Sequence, residues 1–499
     1  MERFAMTASR FVYGFAVLLS TALLASCGVS QLAPSGVPQH SAATSAAGVL
    51  PVSNGAGLSI RKFTGKFPDG AAYLIEVPKT WNRTLLLWSH AARFPGTIPN
   101  PPDDMNLDVG EPDHSYLLSH GFGLAGSSYC SGGWVIQCAM HDQIAVLDKF
   151  ASLVSKPSRT IAWGDSMGGE ITAGLIQKYP DRFSGALTDG GVLAGSVGTF
   201  NQWLDQAFAI NTLIASGRLE LVHITNPSND FTIASKALSH AQSSPQGRAR
   251  IDLIAALGDS PGWNNLKAPN PPEPGPHDYI RREQYNYASL QNDASVFFWI
   301  IRQDFEQRAE GNPSWNTEVD YRKQLERSVD YTEVRVLYSR AGLSLDADLD
   351  LLNKTHRIAV DPRALAYARR NVAYNGEITV PVLTLHTTGD DVVNVQHEEA
   401  YAAVIREEGN NSLFRARFVH RSGHLNLTEG ELLVSLAALI HRLDSGEWKG
   451  TEPADLNAAA SQLGPKFSAL IPTGASATPA FMEYEPAAFL RRFDFGGDK

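Results

Sequence analysis

Seven short apolar runs, separated by segments with helical spacing, constrain the fold of this chain more than any other feature. They are 71–77, 84–88, 123–126, 160–163, 185–188, 380–385 and 414–419. These runs lack strict alternation, which suits strands buried on both faces of a parallel sheet. Between them, His141 to Val154 carries Ile144, Leu147, Phe150 and Leu153 at helical spacing. Met167 to Lys178 gathers Ile171, Leu175 and Ile176 on one side and stops before Pro180, and Glu431 to Leu443 is strongly amphipathic. Strand and helix in turn predict an α/β fold, a mostly parallel central sheet with right-handed crossovers.

From about Leu193 to Ile378 the alternation stops. This stretch has helical patterns, aromatic residues at Phe200, Trp203, Phe208, Phe297, Phe298 and Trp299, and a proline-rich loop from Ala268 to Pro276. A large helical insertion between two strand signals reads as a cap over the C-terminal edge of the sheet. The predicted division is a core from 58–195 and 379–449, a cap from 196–378, and a C-terminal extension from 450–499. In that extension Phe489 to Phe495 is expected to pack back on the body, and periodic segments are few.

The N-terminal segment reads as a targeting device. Arg3 and Arg10 precede an apolar run from Phe11 to Leu24, short for a membrane span and suited to a secretory segment. Leu24-Ala25-Ser26-Cys27 resembles the bacterial lipoprotein box, which makes Cys27 a lipidation candidate, with ordinary signal-peptidase cleavage as the plainer alternative. Residues 1–27 are thus assigned to export and 28–57, rich in Ser, Ala, Gly and Pro, to a flexible linker. Two further cysteines remain, Cys130 and Cys138, and in an oxidising compartment they are expected to form a structural disulfide.

A net charge of −10 without a dense Lys/Arg block argues against nucleic-acid binding. The chemistry points instead to Gly164-Asp165-Ser166-Met167-Gly168, which directly follows a strand signal and precedes a helix. A serine on so sharp a turn is backbone-strained, and only small residues two positions either side avoid a clash. The turn lifts the hydroxyl clear of the sheet, and the helix N-terminus behind it favours developing negative charge. A base and an orienting acid are then required. His424, after one strand signal and before the last strong helix, is the leading base, with His420 a decoy that belongs to the strand. Asp390 is the first choice of acid, Asp391 the second, and Asp189 a further alternative after its own strand. The backbone amide of Met167 should supply one oxyanion donor, and Ala91 or Ala92, after the 84–88 strand, the other.

Taken together these residues resemble the α/β-hydrolase fold superfamily over roughly 60–195 and 378–445, and within it secreted, capped serine esterases. The resemblance implies Ser166 as nucleophile, Asp390 as acid, His424 as base, and acyl-enzyme chemistry on carboxylic esters without a cofactor. Where relatives carry His-Gly in the oxyanion loop this chain has His90-Ala91, which leaves the second donor open. An amidase or peptidase of the same fold is the alternative, for which acidic residues such as Glu306 and Glu310 could receive a free amine. A non-catalytic surface lipoprotein is the third reading. No HExxH, zinc-spaced cysteines or phosphate-binding GxxxxGK[ST] is found, so no metal or cofactor is expected. The expected partner is a small-molecule or polymeric ester, with membrane contact only through Cys27.

Overall fold

The computed structural model describes residues 49–54, 58–95, 110–291 and 297–493. The export segment with Cys27, and the linker up to residue 48, lie outside the described residues. In chain order the strands are β1 (Val49–Asn54), β2 (Leu58–Lys66), β3 (Ala72–Pro78), β4 (Thr84–Ser89), β5 (Gly123–Ser127), β6 (Arg159–Asp165), β7 (Gly185–Asp189), β8 (Val382–Gly389), β9 (Phe414–Ser422) and β10 (Phe481–Met482). They form one sheet in the order β1-β2-β3-β5-β4-β6-β7-β8-β9-β10. The block from β5 to β9 is parallel, and antiparallel strands close it on both edges.

The apolar runs lack alternation because the sheet has a core on each face. Along β4, Leu85 and Leu87 enter one cluster while Leu86 and Trp88 enter the other. On β6 Ala162 belongs to the first, and Ile161 and Trp163 to the second, where the Trp88 and Trp163 rings meet edge to face at 4.9 Å. All seven predicted runs are strands. β8 begins later than the 380–385 run because Pro381 has no amide for the ladder, although its carbonyl still accepts from Ala186. Three strands at or next to the edges, β1, β2 and β10, were not foreseen. In β2, polar Arg61 and Lys62 separate Ile60 and Phe63, a weak apolar signal, while the turn through Pro68-Asp69-Gly70 joins it to β3.

Between β7 and β8 the described residues contain helices and no strand. The longest helix, Gly195–Leu213, is buried almost all round, and Phe200, Trp203, Phe208, Phe298 and Trp299 lie in the core rather than on a surface. This helical segment touches the loops after β8 and β9: Ser289 Oγ donates to Asp391 Oδ2 at 2.9 Å, and Asn426 Nδ2 donates to the Pro269 carbonyl at 2.8 Å. Cys130 and Cys138 form a disulfide. Its loop is pinned to the same segment, with the Trp134 amide donating to Asp304 and Arg308 to the Gly132 carbonyl.

Two helices differ from expectation. The one predicted from His141 starts at Ile136, whose side chain is buried. In the C-terminal extension Pro453–Gln462 is helical, set by a proline in its first turn and a run of alanines rather than by apolar spacing. Phe489 and Leu490 pack into the body as expected. Among the described residues no helix is long and apolar enough to cross a membrane.

Candidate active site

The parallel sheet reverses its strand order between β5-β4 and β6, and clefts in such sheets open at the carboxyl ends of the strands beside this point. Ser166 stands there, at the end of β6 and before the helix Met167–Lys178. Its backbone has φ 52 and ψ −120, a conformation rare for any residue with a side chain. The two flanking glycines have a steric reason. A Cβ on Gly164 would lie 2.5 Å from the Gly168 carbonyl and 2.6 Å from that of Ser89, and a Cβ on Gly168 would overlap the Ser89 carbonyl outright. Strand, elbow and helix can pack this closely only without those side chains.

His424 follows β9, and its loop is fixed from several sides. The Gly423 amide donates to the Gly389 carbonyl at 2.8 Å, and Thr387 Oγ1 donates to the Gly423 carbonyl at 2.8 Å, so the ends of β8 and β9 hold one another in register. Buried Arg421 donates to the Asn426 carbonyl and to Glu431, which also closes the capping box of the helix Glu429–Ser445. Held in this way, His424 Nε2 lies 2.9 Å from Ser166 Oγ and Nδ1 lies 2.7 Å from Asp390 Oδ2. The other Asp390 oxygen accepts the Val392 and Val393 amides at 3.0 and 2.9 Å. Burial would raise the Asp390 carboxyl, but the charge His424 carries once protonated, and hydrogen bonds from His386 and His424, hold it well below the ordinary range. An ionised Asp390 requires a proton on Nδ1, which leaves Nε2 to accept from the serine hydroxyl. Such an arrangement can take the proton of an attacking serine and return it to a leaving group.

The remaining candidates fall elsewhere. Asp391 accepts from Ser289, and Asp189 is buried without a hydrogen bond to His424. His420 is exposed beside Glu273. Glu306 is buried, with its carboxylate on the Ile224 amide, and Glu310 pairs with Arg363, so neither is a free acid awaiting an amine. Met167 opens its helix, and among the described residues its amide has no protein acceptor. Asp165, just before the nucleophile, is half-buried, and its carboxyl is pushed up to about 7 by desolvation against the pull of His424. The Ala92 amide has no acceptor among the described residues.

Two contributors were not recognised in sequence, His386 on β8 and Glu398 on the helix Gln396–Glu407. Both are buried, and His386 Nε2 lies 3.3 Å from the same Asp390 oxygen that His424 contacts. The available signal was a histidine directly after the 380–385 apolar run, four residues before the acid.

The sheet order, the strained Ser166 elbow and the Ser-His-Asp contact at the strand ends define an α/β-hydrolase. The chain is 31% identical over 433 residues to o-phthalyl amidase from Xanthobacter agilis, across 79% of this chain and 90% of the amidase, and it belongs to that protein's family. No family model matches the sequence. Among solved structures, an esterase from Aspergillus oryzae matches at TM-score 0.38 and 14% identity, covering 78% of this chain and 80% of that one. The cell-wall-degrading esterase LipA from Xanthomonas oryzae matches at TM-score 0.35 and 14% identity, covering 78% of this chain and 90% of the other.

Proposed function

We propose that this hydrolase cleaves carboxylic acyl bonds through an acyl-enzyme, with Ser166 as nucleophile, His424 as base and then acid, and Asp390 as the orienting carboxylate. The observation that carries this reading is the unbroken Ser166–His424–Asp390 hydrogen-bonded line at the ends of three strands of one sheet. Ser166 Oγ attacks the carbonyl carbon as His424 Nε2 takes its proton. The oxyanion is met by the Met167 amide and by that of Ala91 or Ala92 in the loop after β4. His424 returns the proton to the departing amine or alcohol, and a water then repeats the sequence to release the acid.

The sequence alone favours esters over amides. The amidase relative favours the reverse, an amide with an o-phthalyl-like aromatic acyl group. The chain is also proposed to be exported, a reading that the Cys130–Cys138 disulfide supports, and to carry a lipid on Cys27. Palmitate incorporation that persists in Cys27→Ser would remove the anchor.

A fluorophosphonate probe should label the wild-type protein and not Ser166→Ala, and the substitution should lower kcat by roughly 10⁴–10⁶-fold. Folded wild-type protein that resists the probe would favour the non-catalytic reading. Comparison of o-phthalyl amides with p-nitrophenyl esters and aminoacyl anilides then decides the bond, and ester turnover without amide turnover would restore the esterase reading.

A further inference from the structure

Beside the proposed triad lies a second histidine with no part in the acyl-transfer steps. His386 is fully buried within β8, and its ring nitrogens face only acceptors among the described residues. Nδ1 lies 2.9 Å from Glu398 Oε1, while Nε2 lies 2.7 Å from the Val393 carbonyl and 3.3 Å from Asp390 Oδ2. A neutral imidazole would turn one lone pair toward an oxygen in a site that water does not reach, leaving both groups unsatisfied. A doubly protonated ring satisfies both ends. The second oxygen of Glu398 accepts from Thr384 Oγ1, so this carboxylate is itself fixed in place. Charges therefore alternate from Glu398 through His386 to Asp390, and His424 stands next in the line.

We propose that His386 is a positioning residue, a standing imidazolium that holds the Asp390 carboxylate through the Oδ2 it shares with His424 and so keeps that carboxylate aimed at the His424 ring. The proposal rests on the Ser166–His424–Asp390 reading above. Its physical basis is that one carboxylate oxygen faces two rings, and a second cation there is disfavoured while the first is present. The other titratable groups acting on His386 are Asp189, from β7, and His397, on the helix with Glu398. Burial raises Asp189 well above the ordinary range and lowers His397 to about 3, which leaves both neutral. Asp390 and Glu398 are then the countercharges. Burial alone would lower His386, but its hydrogen bonds to these two carboxylates, and their charges, lift it to about 10.

Histidine ¹⁵N NMR on the full chain tests this without reference to turnover. The expected spectrum shows one histidine doubly protonated from about pH 6 to about pH 9, absent from His386→Gln. In that variant the acid limb of kcat/KM should move to higher pH by about one unit, because a cation beside Asp390 has gone. A purely structural role would lower kcat and leave that limb unmoved. Neutral resonances for every histidine at about pH 8, or an unmoved acid limb, would overturn the proposal. If His386→Gln does not fold, the wild-type spectrum decides the charge of the ring. Failure of the triad reading is distinguishable, because it appears as a Ser166 inert to fluorophosphonate whatever the spectrum shows.

Discussion

Asp390 and Asp391 are neighbours in sequence with separate partners: Asp390 is bonded to His424 at 2.7 Å, and Asp391 to Ser289 of the helical segment at 2.9 Å. Replacement by asparagine should therefore separate them. Asp390→Asn removes the carboxylate that sets the His424 tautomer, and kcat should fall by about 10⁴-fold. Asp391→Asn keeps a side-chain oxygen for Ser289 and should cost less than about tenfold. Steady-state kinetics of the two purified variants check this, and the reverse ranking would move the acid to Asp391.

The elbow at Ser166 stores strain that its glycine neighbours accommodate. Gly168→Ala drives a Cβ into the Ser89 carbonyl, a backbone contact that cannot rotate away, and should destabilise the protein by about 1–3 kcal/mol or more. Ser166→Gly should do the opposite, adding about 1 kcal/mol as it relieves a positive φ, while abolishing probe labelling. Urea unfolding of both variants reads out the contrast. A stabilised Gly168→Ala would show that the strand and helix are not in close contact there.

Stability should be greatest on the acid side of neutrality. Burial lifts Glu170 and Asp259 to about 8, and hydrogen bonds and carboxylate charges lift His386 to about 10 against its burial. Each value lies above that of the unfolded chain. As pH rises through these windows the folded state retains protons that the unfolded state has released, and unfolding is favoured. Asp390, with its lowered value, acts at the other end, and its contribution is lost as pH falls below the ordinary carboxylate range. A melting series should thus show Tm falling steadily from about pH 6 to about pH 10. A flat or rising series would contradict these buried protonation states.

The Cys130–Cys138 bond should contribute to stability and leave the acyl-transfer chemistry untouched. Closing so short a loop is worth about 2–3 kcal/mol in the chain-entropy account. Because the loop also carries the Trp134 and Gly132 contacts to Asp304 and Arg308, reduction should loosen the helical segment as well as lower Tm. Protease sensitivity within 297–309, compared with and without reductant, measures that effect.

The parallel block was legible in sequence because strands buried on both faces write uninterrupted apolar runs, as Leu85-Leu86-Leu87-Trp88 does. Ser166, Asp390 and His424 were legible because each stands within five residues of the end of such a run. β1, β2 and β10 escaped notice: they are edge or near-edge strands whose pairing comes from backbone bonds, and β10 has only two residues. The His386–Glu398 contact was hidden for a different reason. It joins a strand to the following helix through side chains whose protonation matters only once both are buried, and neither residue belongs to a spaced motif.

The tail from Phe489 to Arg491 is stitched into the segment between β7 and β8. Arg491 pairs with Asp205 and donates to the Trp315 carbonyl, the Leu490 amide reaches Asp259, and the Leu490 carbonyl accepts from Arg327. Arg491 and Asp205 are 286 positions apart in the chain. These contacts can form only after almost the whole chain has been synthesised or has emerged from a translocation channel. The helical segment must therefore wait for the C-terminus to complete its packing, and a chain interrupted before residue 489 would leave Asp205 as a buried acid without its cation.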